Sequence, residues 1–174
     1  ATLWLAEFNP ALAVSDCVCW LDGQDAGTIY DEPTLTWVDK SGANNNPSRS
    51  GSGRPTAIPG GIEFDGADVL DFHGDSLSMF RDVPGITAFI IGTHDTTNEE
   101  QFIVASIDST STIRMNMMGG IVSGQLHGNA RRLNTDAGAG QNSGSYSAGE
   151  MYLQRHTISY LNGTQIISKN GQPT

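Results

Sequence analysis

Short apolar runs, most with an alternating component, recur along this chain, and clusters of Gly, Ser, Asn and Asp separate them. They fall at 17–21, 35–38, 62–64, 69–72, 86–91, 102–107, 113–117, 121–126, 151–160 and 165–168. A period of two sends successive side chains to opposite faces of a strand, so such runs bury an apolar face only by pairing into sheets that then stack. No stretch holds a 3.6-residue period over three turns, and the best helical candidate is one turn at 75–80. The pattern predicts an all-β chain whose strands form a two-sheet antiparallel β-sandwich or jelly roll, with a barrel as the alternative.

Composition agrees. Apolar residues make up 37% and charged residues 16% of 174, and 21 glycines accompany many Ser, Thr and Asn, as short strands with many turns require. That length fits one domain, because a single core of this size already hides about 70% of the surface an unfolded chain exposes. The two longest turn clusters, 41–55 and 136–150, read as exposed loops.

Charge removes several function classes. The net charge is −10, and no Lys or Arg precedes Lys40, so a phosphate backbone would be repelled and nucleic acid is not expected as a partner. No run is long enough to cross a bilayer, and Leu3-Trp4-Leu5 is too short for a span or a secretion signal. Cys17 and Cys19 would share a strand face, a geometry unsuited to pairing with each other, and read as reduced core thiols. His73, His94, His127 and His156 are scattered, which weakens any zinc assignment. No Gly-x-Ser-x-Gly elbow, phosphate loop or His-Glu-x-x-His occurs.

Acids concentrate in GIEFDGADVLDF at 61–72. Glu63 and Asp65 share a strand face, the disposition of an acid and a nucleophile in a retaining glycosidase. The next same-face position, however, is Ala67. Asp-Gly is also a strong hairpin signal, since Gly accepts positive φ and Asp can bond the turn backbone. Asp65 and Asp68 therefore read first as turn fittings, with catalysis by Glu63 and Asp65 a minor reading.

Three segments, FNPALAVSDCVCWLDGQD (8–25), LTWVDKSGANNNPSRSGSGRP (35–55) and GGIEFDGADVLDF (60–72), follow in the order seen in concanavalin A-like jelly rolls of the laminin-G/pentraxin type, which this chain resembles. HTISYLNGTQIISKNGQ (156–172) is similar to a later strand pair of that family. The resemblance implies a single jelly-roll domain over 1–174 in which Trp20 and Trp37 fill the space between sheets. Asp22, Asp39, Ser41 and Asp65 would tie loop backbones. Because several relatives bind calcium through loop oxygens, a calcium site is the second assignment for these acids. Family members continue past the last Asn-Gly turn, so the expectation is either that this sequence is part of a longer polypeptide, lacking the last strands, or that the edge at 165–168 is covered by 2–5 or by a neighbouring chain.

The functional expectation is a non-catalytic binding or assembly module on a virion surface or in the extracellular space, such as a virion decoration, a tail-fibre component or an adhesin. It would contact neighbouring virion or cell-surface proteins as an oligomer, with a glycan as the candidate ligand. Sugars are held by an aromatic ring together with amide or carboxylate hydrogen bonds, and Tyr146, Asn142 and Asp136 lie in one Gly/Ser-rich segment. The alternative is a scaffold protein without soluble ligand, docked through TLWLAEF at 2–8.

Overall fold

The computed structural model describes residues 14–73, 79, 83–95, 104–106, 115–131 and 139–173. The expected helical turn at 75–80 lies, Met79 apart, outside them, as do the apolar segment at 2–8 and Asp136. The chain is all-β, in open antiparallel sheets consistent with a β-sandwich. Among the described residues no helix is long and apolar enough to cross a membrane. Two compact units divide it, Ala1–Met79 and Phe80–Thr174.

In the first unit a 3-10 turn, η1 (Ala26–Thr28), leads into β1 (Ile29–Tyr30), which with β2 (Leu35–Trp37) and β3 (Ser48–Arg49) forms a sheet of order β1-β2-β3. A hairpin of β4 (Thr56–Ile58) and β5 (Gly61–Glu63) turns at Gly60, where φ is +89°. The fully buried side chains of this unit include Leu35, Pro47 and Pro55.

Two expected strands shrink to single bridges here, Leu21 with Asp39 and Ser48 with Asp71. Side chains take backbone donors that a ladder would otherwise use. The Asp39 carboxylate accepts from the Trp20 N–H (2.8 Å), the Ser41 N–H (2.8 Å) and the Asn45 N–H (3.0 Å). A carboxylate with that many partners offers the backbone an alternative to strand pairing. Cys17 and Cys19 are free and half-buried. Burial, with Asp39 and Cys17 nearby, pushes the Cys19 thiol up to about 12. Trp20 and Trp37 are half-buried too, and the Lys40 ammonium lies 4.4 Å from the Trp20 ring centre.

The second unit holds β6 (Gly85–Gly92), β7 (Val104–Ser106), β8 (Met115–Val122), β9 (Gln125–Arg131), β10 (Ala139–Ser145), β11 (Tyr152–Ser159), β12 (Thr164–Lys169) and β13 (Gln172–Pro173). They form sheets of order β10-β9-β8-β7 and β13-β12-β11-β6. Ser123-Gly124 and Asn170-Gly171 turn two hairpins with positive φ at both residues, a twist that suits adjoining antiparallel strands. β11 alternates cleanly: Tyr152, Gln154, His156 and Ile158 are buried, while Leu153 and Arg155 are exposed. Ile121, Leu126, Tyr146, Tyr152 and Ile167 make the apolar cluster that joins the two sheets. Burying them stabilises the unit by about 1.5–3 kcal/mol for each large side chain.

Polar groups enter this core as well. His156 is fully buried, and its Nε2 lies 3.0 Å from Gln165 Oε1. A Cβ on Gly128 would stand 2.3 Å from His156 Cε1, so only glycine lets β9 pass the imidazole. The Gln154 side chain is fully buried, and its amide has no hydrogen-bond partner among the described residues.

Candidate functional site

Three of the four acids at 61–72 serve a turn or an ion pair. Asp65 Oδ1 accepts the Ala67 N–H at 3.0 Å, Asp68 Oδ2 accepts the Asp65 N–H at 3.1 Å, and Gly66 between them has φ +87°. Both carboxylates thus close the bend that their Asp-Gly context predicts. Glu63 ends β5 with its side chain exposed. Asp71 turns instead toward Arg49, whose Nη1 donates to Asp71 Oδ2 at 2.8 Å.

Asp22 and Asp39 likewise organise loop backbone. Asp22 Oδ1 accepts the Gln24 N–H, and Lys40 Nζ donates to Asp22 Oδ2 (2.9 Å) and Asp25 Oδ2 (3.0 Å). Among the described residues no group of three or more His, Cys, Asp or Glu side chains could hold a metal ion.

Of the ligand set expected from the sequence, Asp136 lies outside the described residues, and Asn142 and Tyr146 are not brought together. Asn142 lies exposed on β10, where its Oδ1 is 2.6 Å from His127 Nδ1 and its Nδ2 donates to Gln125 Oε1 at 3.2 Å. Tyr146 is a core residue, 5% exposed. Its hydroxyl accepts the His94 N–H (2.6 Å) and donates to the His94 carbonyl (2.7 Å). The two are separated by the bulge at Gly144, φ +57°, where the β9–β10 register slips between Ser143 and Ser145. One extra residue reverses side-chain parity, so Asn142 and Tyr146 leave opposite faces although four positions apart. The segment read as an exposed loop is a strand over most of its described length.

A cleft of the first unit collects polar groups that sequence reasoning did not join. Thr34, Ser48, Arg49, Ser50, Asp71 and His73 line a space of about 170 Å3. His73 Nε2 is 3.2 Å from the Ser48 carbonyl, which can only accept, so this nitrogen carries the proton. Arg49 Nε is buried and has no partner among the described residues. The one signal in the sequence was opposite charge at 49 and 71, and 22 residues of separation gave it no local geometry to act on.

The second unit presents an apolar row on the outer face of β6, β11 and β12. Phe89 is 67%, Ile91 71% and Ile166 50% exposed. Leu153 faces Ile91 across the β6–β11 ladder, and Arg155 faces Phe89.

No family model matches this chain, and neither a curated protein nor a solved structure matches it. The site therefore rests on its own geometry.

Proposed function

We propose that this protein is a non-catalytic assembly module of concanavalin A-like jelly-roll architecture, displayed on a virion or in the extracellular space, and that its neighbour in the assembly is a second copy of the same chain. The observation that carries the reading is the exposed row Phe89, Ile91, Leu153 and Ile166. Ile91 and Leu153 pair beside Phe89, while Ile166 faces Thr157 on the neighbouring strand, and exposed apolar side chains on one sheet face mark a contact surface, because leaving them in water forfeits the stabilisation that burial supplies.

Self-association is favoured by the edge that borders the row. β6 ends its sheet among the described residues, and its sequence GITAFIIG carries no charge and no proline. Edges that avoid pairing normally carry such residues, and an antiparallel match of GITAFIIG with itself is free of like-charge contacts. At a net charge of −10, copies repel over most of their surface, which concentrates attraction where charge is missing.

The place of Asp65 in a turn, with Glu63 exposed at the end of β5, supports a non-catalytic role over a glycoside hydrolase using Glu63 and Asp65. The scaffold alternative needs the same surface and differs only in having no soluble ligand.

Sedimentation of the wild-type chain and of the Phe89→Ser, Ile91→Thr double variant tests the proposal. An oligomer that dissociates in the variant, with the far-ultraviolet spectrum unchanged, is expected. A monomeric wild type, or a variant that keeps the wild-type mass, overturns it.

A further inference from the structure

We infer that the β11–β12 turn is a site of spontaneous covalent modification, where Asn162 cyclises onto the Gly163 nitrogen and water converts it to an aspartyl or isoaspartyl residue. The second Asn-Gly pair of the chain, Asn170-Gly171, is held unreactive by the backbone of Leu153. Neither asparagine belongs to the apolar row, so the inference does not depend on the assembly proposal.

The sequence holds two Asn-Gly pairs, and both turn hairpins, 162–163 between β11 and β12 and 170–171 between β12 and β13. Glycine makes either pair eligible, because no Cβ shields its nitrogen from the preceding side-chain amide. The step involves no redox change. The Gly163 nitrogen gives its proton to hydroxide and attacks Asn162 Cγ. The new N–Cγ bond closes a five-membered imide, the Cγ–Nδ2 bond breaks, and ammonia leaves with a proton from water. A second water then opens the imide, at Cγ to give the aspartyl product or at the main-chain carbonyl carbon to give the isoaspartyl one.

Backbone freedom decides between the pairs, since closing the ring draws both main chain and side chain of the asparagine out of the turn conformation. Residues 160–163 loop between Ser159 and Thr164, which face each other across the ladder. The first half of the loop is anchored, with the Tyr160 and Leu161 N–H groups donating to the Pro84 carbonyl at 2.9 and 3.2 Å. Asn162 lies beyond that anchor and is exposed; its N–H donates to Ser159 Oγ at 3.2 Å. Its side-chain amide has no hydrogen-bond partner among the described residues.

Asn170 is exposed too, but it is tied at two points. Its N–H donates to the Leu153 carbonyl at 2.8 Å, and its Oδ1 accepts the Leu153 N–H at 2.8 Å. The loop is also shorter, because Lys169 and Gln172 on either side of 170–171 are already paired. Ring closure there would take hydrogen-bond partners away from β11, a cost that Asn162 does not carry. The product has a local consequence. No residue from Thr157 to Ser168 is charged, so the carboxylate formed at 162 is the first on that turn and makes the net charge of −10 more negative.

The test compares the two pairs in the whole chain, native and unfolded in urea, during incubation at mildly alkaline pH. Peptide mass mapping at intervals reads the change from amide to acid at each site, and cleavage specific for aspartyl bonds separates the two products. In the native chain, 162 should convert at a rate near its unfolded one. At 170 the native rate should fall about tenfold or more below the unfolded one, as expected when a hydrogen bond must break on the way to the ring. On isoelectric focusing an acidic species should grow in step with conversion at 162. Asn162→Ser, which removes an exposed side chain without partners, should abolish that species and leave conversion at 170 unchanged. The inference is overturned if 162 stays an amide in the native chain while the unfolded chain converts, if both pairs convert equally fast in the native chain, or if Asn162→Ser turns acidic as fast as wild type.

Discussion

The Tyr146 hydroxyl clasps the backbone of His94 from both sides, accepting its N–H at 2.6 Å and donating to its carbonyl at 2.7 Å. His94 completes the arrangement with Nε2 at 2.7 Å from the Tyr152 hydroxyl, and its ring stacks on that of Tyr152 with centroids 5.6 Å apart. Tyr146 meets Tyr152 edge to face at 5.5 Å. Three rings and one backbone unit therefore share two hydroxyls at the end of β6.

Tyr146→Phe keeps the ring and removes the clasp. Both backbone groups of His94 lose a buried partner, which costs about 1–3 kcal/mol. A urea midpoint lowered accordingly, with an unchanged slope, is the expected result. A midpoint equal to wild type would place the hydroxyl in solvent and refute the buried assignment.

Asp39 organises the loop that follows β2 by accepting from Trp20, Ser41 and Asn45 backbone, and its Oδ2 also takes the Ser41 hydroxyl at 2.8 Å. Asp39→Ala should lower stability by about 3 kcal/mol, since hydrogen bonds to a charged acceptor are worth roughly 1.5–3 kcal/mol each and are not additive. Asp39→Asn should fall between, because its amide nitrogen faces donors. Denaturant titration of both variants provides the check, and equal midpoints for wild type and Asp39→Ala would refute it.

Acid should loosen the two lysine ion pairs. Hydrogen bonding from Lys40 holds the Asp25 carboxyl below the usual carboxylate range, and hydrogen bonding from Lys169, aided by the Ser147 N–H, does the same for Glu150. A carboxyl whose folded value is depressed adds stability that is complete above its unfolded value, about 4, and disappears as pH falls through the folded one. The melting temperatures of Lys40→Met and Lys169→Met should thus lie below wild type at pH 7 and converge on it as pH falls below about 4. Added salt should shrink the same gap, since Asp25 and Glu150 are open to solvent. A gap independent of pH would contradict the assignment.

Much of the fold was legible because local patterns suffice for it. The alternation at 151–160 specifies β11, and the Asp-Gly context specifies the bend at 65–66, whereas the Asn170-Gly171 turn, expected to have no strand after it, delivers β13 onto β12. The strand at 17–21 was not legible as a single bridge, because the competitor for its backbone is a side chain distant in sequence: Asp39 reaches back to Trp20. At 69–72 the N–H groups of Val69 and Asp71 go to the carbonyls of Gly53 and Ser48, also distant in sequence. The burial of Tyr146 was not legible for a different reason. Its side is set by the bulge at Gly144, and one glycine among several in a Gly/Ser segment carries no mark of which will be inserted. Arg49, Asp71 and His73 meet only because Ser48 and Asp71 bridge, a long-range event with no periodic signal.

The tight approach of Gly128 to the His156 imidazole means that these two positions share one allotment of space. Any side chain at 128 requires a smaller one at 156, so a single substitution at the glycine is a steric fault whereas a paired exchange is a swap of volume between the two sheets. Sequence variation tolerated by this core should accordingly arrive at the two sites together, as coupled steps.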